Sequence, residues 1–147
     1  MKRLLCTLVL ALCILGTLRA QSAVTDEIIA RLRDSRVSLK FSCTLEDGVS
    51  IELSGSLIVQ GNCFIIKGNG LEIYSDGKTR WTVDPKEKEV YLEEGNEISE
   101  ILGYRDRIRN LQLKDIKYEQ PGEDLSAFRF DCSNLDEGWI VTDLRQE

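Results

Sequence analysis

Among side chains that commonly carry catalysis or hold metals, this chain offers carboxylates and thiols but no imidazole. It has 25 Asp and Glu, five Cys and no His in 147 residues. Without His, triads of the Ser-His-Asp kind, imidazole metal sites and most general bases poised near neutrality are excluded. The carboxylates fall where turns and wet faces call for them. Asp76 precedes Gly77, Asp84 precedes Pro85, and Asp136 opens Asp136-Glu137-Gly138. An Asp at such a point bonds its own backbone and shapes a turn. Glu93-Glu94 adjoins a strand end and reads as solvated. No nucleophile stands beside a base, so the expectation is a protein that is not an enzyme and has no catalytic residue. Cys43, Cys63 and Cys132 match no zinc spacing, and no metal or cofactor is expected. They read as small buried hydrophobes with room for one bridge, since three thiols cannot all pair within one chain.

What remains is apolar side chains at regular spacing, whose use is burial or the holding of an apolar guest. The first 20 residues stand apart from that pattern. Met1-Lys2-Arg3 is basic, Leu4 to Leu15 is almost wholly apolar, and Ala20 offers a small residue before Gln21. This is the make-up of a secretory signal peptide, and the run is too short for a spanning helix of about 20 apolar residues. Residues 21–147 then form the single expected domain. Its net charge is the chain's -6 less the three positive charges of Lys2, Arg3 and Arg19, which gives -9. Phosphate backbones repel such a chain, so nucleic acid is not expected as a partner. Cys6 and Cys13 leave with the leader.

The domain opens with a short amphipathic helix over 25–34, capped by Thr25 and carrying Ile28, Ile29 and Leu32 on one side. The period then changes to two. In "VSLKFSCTLE" the odd positions Val37, Leu39, Phe41, Cys43 and Leu45 are apolar and the even ones polar, which predicts a strand with one dry face. Asp47-Gly48 turns, and a second strand follows with Val49, Ile51, Leu53, Leu57 and Val59 on one side. Gly55 interrupts that side, as at a bulge or tight bend. Further strands read from "CFIIK", "LEIYS", "KTRWTVD" and "KEVYLEE", joined by short Gly, Asp and Pro turns. Asn96 caps a second helix over 97–102, and "YRDRIRN" reads as helical turn or loop. "LQLKDIKYEQ", "SAFRFDC" and residues 139–144 complete the strands. The fold class is mainly β with α: a curved antiparallel sheet, or incomplete half-open β-barrel, with short helices as lid. Alternation alone fits a filled core or a vacant concave face equally.

Part of this pattern resembles a known family. "VSLKFSC" after an amphipathic helix, then a strand bearing Phe64, then Ser75-Asp76-Gly77-Lys78-Thr79 leading to Trp81, then Asp84-Pro85 and a return strand with Val90, is similar to the LolA family of periplasmic outer-membrane lipoprotein carriers. Residues 141–145, "VTDLR", resemble the family's closing strand. The resemblance implies a half-open barrel whose cavity shields lipoprotein acyl chains, or another lipid, on the way to the outer membrane. It implies export to the periplasm, monomeric action as a transport chaperone, an inner-membrane extractor complex and an outer-membrane receptor as partners. Each buried methylene contributes about 0.8 kcal/mol, so long acyl chains need such shielding to cross water. On strand parity, the lining expected under this reading is Phe41, Leu53, Leu57, Phe64, Ile73, Trp81 and Val83, with Ile98, Ile101 and Leu102 on the lid. The chain is shorter than the family pattern between Gly103 and Phe128, which implies a smaller cavity. The alternative reading is an acidic periplasmic interaction module on the same scaffold, using a sheet edge or its outer face and carrying no lipid.

Overall fold

The structure is a computed structural model that describes residues 22–32, 34–95 and 105–146. The long alternating run folds as a hairpin: β1 (Arg36–Asp47) pairs antiparallel with β2 (Val49–Gln60) across Gly48, whose φ of 73° suits a residue without Cβ. β3 (Cys63–Gly68), β4 (Leu71–Ser75), β5 (Thr79–Asp84) and β6 (Glu89–Glu94) continue the meander. Asn69 and Gly70 both have positive φ, the requirement of the tightest hairpin turn. The Asp turns behave as their positions suggest. Asp76 Oδ1 accepts from the N–H groups of Lys78 and Thr79 at 3.0 and 2.8 Å, and Asp84 Oδ1 from that of Glu87 at 3.0 Å.

A one-turn 3₁₀ segment, Arg105–Arg107, leads into β7 (Ile108–Glu119), which returns to pair antiparallel with β1. Two register shifts interrupt that pairing, and Asn110 and Asp115 at the shifts have φ of 54° and 52°. Asn and Asp tolerate this left-handed conformation better than most residues. Each bulge advances the phase by one residue. The apolar positions Ile108, Leu111, Leu113, Ile116 and Tyr118, spaced three, two, three, two, therefore all reach one core.

Residues 120–139 then cross the sheet as a strap. Gln60 holds its start, donating to Gly122 O at 2.7 Å and accepting from Gly122 N at 3.1 Å. Phe128 is buried under the Arg36 guanidinium, Arg129 pairs with Asp76 at 3.0 Å, and Phe130 meets Tyr74 with ring centroids 5.5 Å apart. The strap delivers β8 (Ile140–Asp143) beside β6, and the two run parallel. The result is one open mixed sheet in the order β7-β1-β2-β3-β4-β5-β6-β8. Helix α1 (Ser22–Arg31) packs Ile28 and Leu32 against it.

Three expectations change. The helix begins at Ser22, so Thr25 lies within it rather than capping it. "SAFRFDC" is not a strand: Ser126–Phe128 is a 3₁₀ turn, and the rest belongs to the strap. Its alternating Phe128, Phe130 and Cys132 dip toward the sheet surface as a strand's residues would, so period two alone cannot separate a strap from a ladder strand. Finally, the sheet is not wholly antiparallel, because a strap long enough to cross it brings the last strand back in β6's own direction. The helix expected over 97–102 lies outside the described residues, as does the leader.

Candidate apolar binding face

Register shows which residues share a face. Reading across the sheet, one row runs Tyr118, Val37, Val59, Phe64, Ser75, Arg80, Glu93. The next runs Leu39, Leu57, Ile66, Ile73, Thr82, Tyr91. A third places Leu113, Phe41, Gly55, Gly68 and Leu71 in line. All three lie on the face that packs on α1, here the helix face, and it is apolar from β7 through β4 apart from Ser75. At β5 it turns polar. The opposite, strap face does the reverse. It carries Ser38, Lys40, Ser42 and Thr44 on β1, then Tyr74, Trp81, Val83, Val90 and Leu92 from β4 to β6. Strap residues Phe130, Cys132, Leu135 and Trp139 cover those last.

The expected lining therefore divides. Phe41, Leu53, Leu57, Phe64 and Ile73 come together on the helix face, all but the half-buried Phe64 being 4% exposed or less. Trp81 and Val83 do not join them. They stand on the strap face, because Trp81 pairs with Tyr74 and Val83 with Glu72, while Thr82 is the residue opposite Ile73. Ile98, Ile101 and Leu102 lie outside the described residues. Sequence reasoning omitted Val37, Leu39 and Ile66 from the lining. The first two share the parity of Phe41 and were open to the same argument, whereas Ile65 and Ile66 in tandem hide the facing of β3.

Gly55 and Gly68 shape the middle of the face. They stand opposite each other, and a Cβ added to Gly55 would lie 2.2 Å from Lys67 O. The two strands thus approach too closely for any other residue, and the row between Phe41 and Leu71 carries no side chain.

Titratable groups near these faces support burial rather than reactivity. Burial, with Glu52 adding a little, pushes the Cys43 thiol up to about 12. Cys63 and Cys132 are also raised by burial, and all three thiols are free. Asp76 is pulled both ways: burial raises its carboxyl, but the Thr79 and Lys78 N–H groups and the Arg129 guanidinium outweigh that and hold it below the usual range. Among the described residues no cluster of Cys, Asp and Glu could hold a metal ion, and no helix is long and apolar enough to cross a membrane. A recess of about 440 Å³ lies beside the Asp115 bulge, where Leu39, Leu57, Ile58 and Ile116 alternate with Ser38, Lys40, Ser56, Asp115 and Lys117, so its apolar lining is interrupted by charged and polar groups. No protein-family model matches the chain, and no curated protein matches it.

Proposed function

We propose that this protein carries an apolar guest on its helix face: the acyl chains of lipoproteins, or another lipid, shielded during transfer through the periplasm toward the outer membrane. One observation supports the reading most. Of the three rows, the second and third carry no polar side chain as far as β4, and the first none until Ser75, on a sheet that does not close. Such a face can exchange a lid for a guest at little cost, since hydrophobic contact is non-directional. The resemblance to LolA-like carriers, on Leu39, Phe41, Phe64 and the 75–81 turn, points the same way. By that resemblance the route begins with a leader over 1–20 and runs from an inner-membrane extractor to an outer-membrane receptor.

The test is extraction of the purified protein with organic solvent, followed by displacement of an apolar dye by fatty acyl compounds. A co-purifying lipid and saturation near one site support the carrier. Leu53→Glu, in the helix face, should abolish uptake. A second reading has an observation in its favour: Leu53, Leu57, Ile66 and Ile73 are each 2% exposed or less, as in a core that needs no guest. Under it the chain is an acidic interaction module, and a lipid-free extract with no dye uptake would establish that.

A further inference from the structure

Where the helix face turns polar, it holds two groups that folding alone does not explain. Arg80 and Thr82 are each 7% exposed, and among the described residues the Arg80 Nε and Thr82 Oγ1 atoms find no hydrogen-bond partner. A buried polar atom left unpaired costs about 1–3 kcal/mol, so native structures seldom keep one without use. Both stand on the same face of β5, two residues apart. Both adjoin the apolar rows, since Ser75, next to Phe64, faces Arg80, and Ile73, next to Ile66, faces Thr82. One strand spacing, about 4.8 Å, separates Thr82 from Ile73, and two separate Arg80 from Phe64 across Ser75.

The local charge decides what they would bind. The Arg80 guanidinium is already balanced by Glu93, Nη2 to Oε2 at 2.9 Å. Asp84 and Glu89 lie on the same face further along the strands. A second anion would meet an ion pair already neutral and two more carboxylates beyond it. A neutral acceptor meets two donors instead: the Nε–H of Arg80 and the hydroxyl of Thr82. From this geometry we infer that Arg80 and Thr82 form a subsite for the carbonyl oxygen of an ester- or amide-linked acyl chain, whose hydrocarbon extends over Ile73, Ile66 and Leu57. The subsite rests on the carrier reading and deepens it. It selects acylated compounds over free fatty acids and over ethers.

Calorimetric titration of the full chain with three probes tests this: monolaurin, its ether analogue dodecylglycerol, and laurate. The subsite predicts monolaurin tighter than the ether by about fivefold or more, the worth of a hydrogen bond, and tighter than laurate. Thr82→Val should narrow the gap between monolaurin and the ether by lowering the affinity for monolaurin alone, with Thr82→Ser restoring it. Thr82→Val removes an unsatisfied hydroxyl at nearly constant shape, so its fold should survive. Arg80→Lys gives a second measure, because it keeps a charge for Glu93 while losing the Nε–H. Equal binding of ester and ether, or tighter binding of laurate, overturns the subsite and leaves the carrier intact. Binding of none of the three overturns both.

Discussion

The two hydrophobic clusters lie on opposite faces of one sheet, and they are covered differently. The β5–β6 cluster of Trp81, Val83 and Val90 is sealed by a continuous stretch of the same chain, whose Phe130, Leu135 and Trp139 come to it along a strap anchored at Gln60, Asp76 and Lys88. The β7–β4 face is larger, and the described element lying on it is one short helix, bringing Ile28 and Leu32. A strap held at several points must break several contacts to open. A helix of 10 residues, marginal by itself, can part from a sheet locally. On the proposed carrier reading, the strap side serves permanence and the helix side exchange.

Four changes would break or sharpen that contrast. The largest effect belongs to Gly55→Val, which forces β2 and β3 apart at their closest point. A loss of about 3 kcal/mol or more in denaturant unfolding is expected, and a wild-type midpoint would mean the strands yield freely. Next come paired truncations. Leu57→Ala, on the helix face, should cost about 3 kcal/mol and also weaken dye uptake, whereas Val83→Ala, on the strap face, should cost about 1–2 kcal/mol and leave uptake unchanged. Equal effects on uptake would erase the distinction between the faces.

Smaller is Asp76→Asn, which should lower stability by about 1 kcal/mol near neutral pH by loosening the strap at Arg129. The Asp76 carboxyl is held below its ordinary value in the folded state. Its contribution is therefore complete above the unfolded pKa of about 3.9 and is lost as pH falls through the lower folded value. The gap between mutant and wild type should close in acid below about pH 4, and a gap that persists there refutes the assignment. Smallest in energy is thiol labelling. With Cys43 at about 12, about one molecule in ten thousand carries the thiolate near pH 8, so Cys43 should react last and half-buried Cys132 first. Rapid labelling of Cys43 would show that the helix face opens far more often than a carrier at rest requires.

Much of this architecture was readable from the residues. The first hairpin followed from strict alternation in β1 and the Asp47-Gly48 turn, and Asn69-Gly70, Asp76-Gly77 and Asp84-Pro85 marked the later turns because turn chemistry is local. Phe41, Leu53, Leu57, Phe64 and Ile73 were placed together for the same reason. The facing of Trp81 and Val83 was not legible. "KTRWTVD" alternates cleanly, but alternation reports which residues agree with each other, and cross-strand register decides which side they take. Natural expectation puts a tryptophan inward on the common core. Here a second core exists on the far side, supplied by residues some fifty positions later, and Arg80 and Thr82 take the helix face instead. The β7 bulges were hidden likewise, since Asn110 and Asp115 look like ordinary polar strand residues until their φ is seen.

The most direct test uses the two tryptophans, Trp81 and Trp139, which both belong to the strap cluster. A brominated acyl chain quenches indole fluorescence only at short range. The account predicts saturable uptake that leaves the wild-type emission nearly unchanged while strongly quenching an Ile73→Trp variant, whose new indole would stand on the helix face. Quenching of the native tryptophans with the variant's added emission untouched, or no uptake at all, would contradict it.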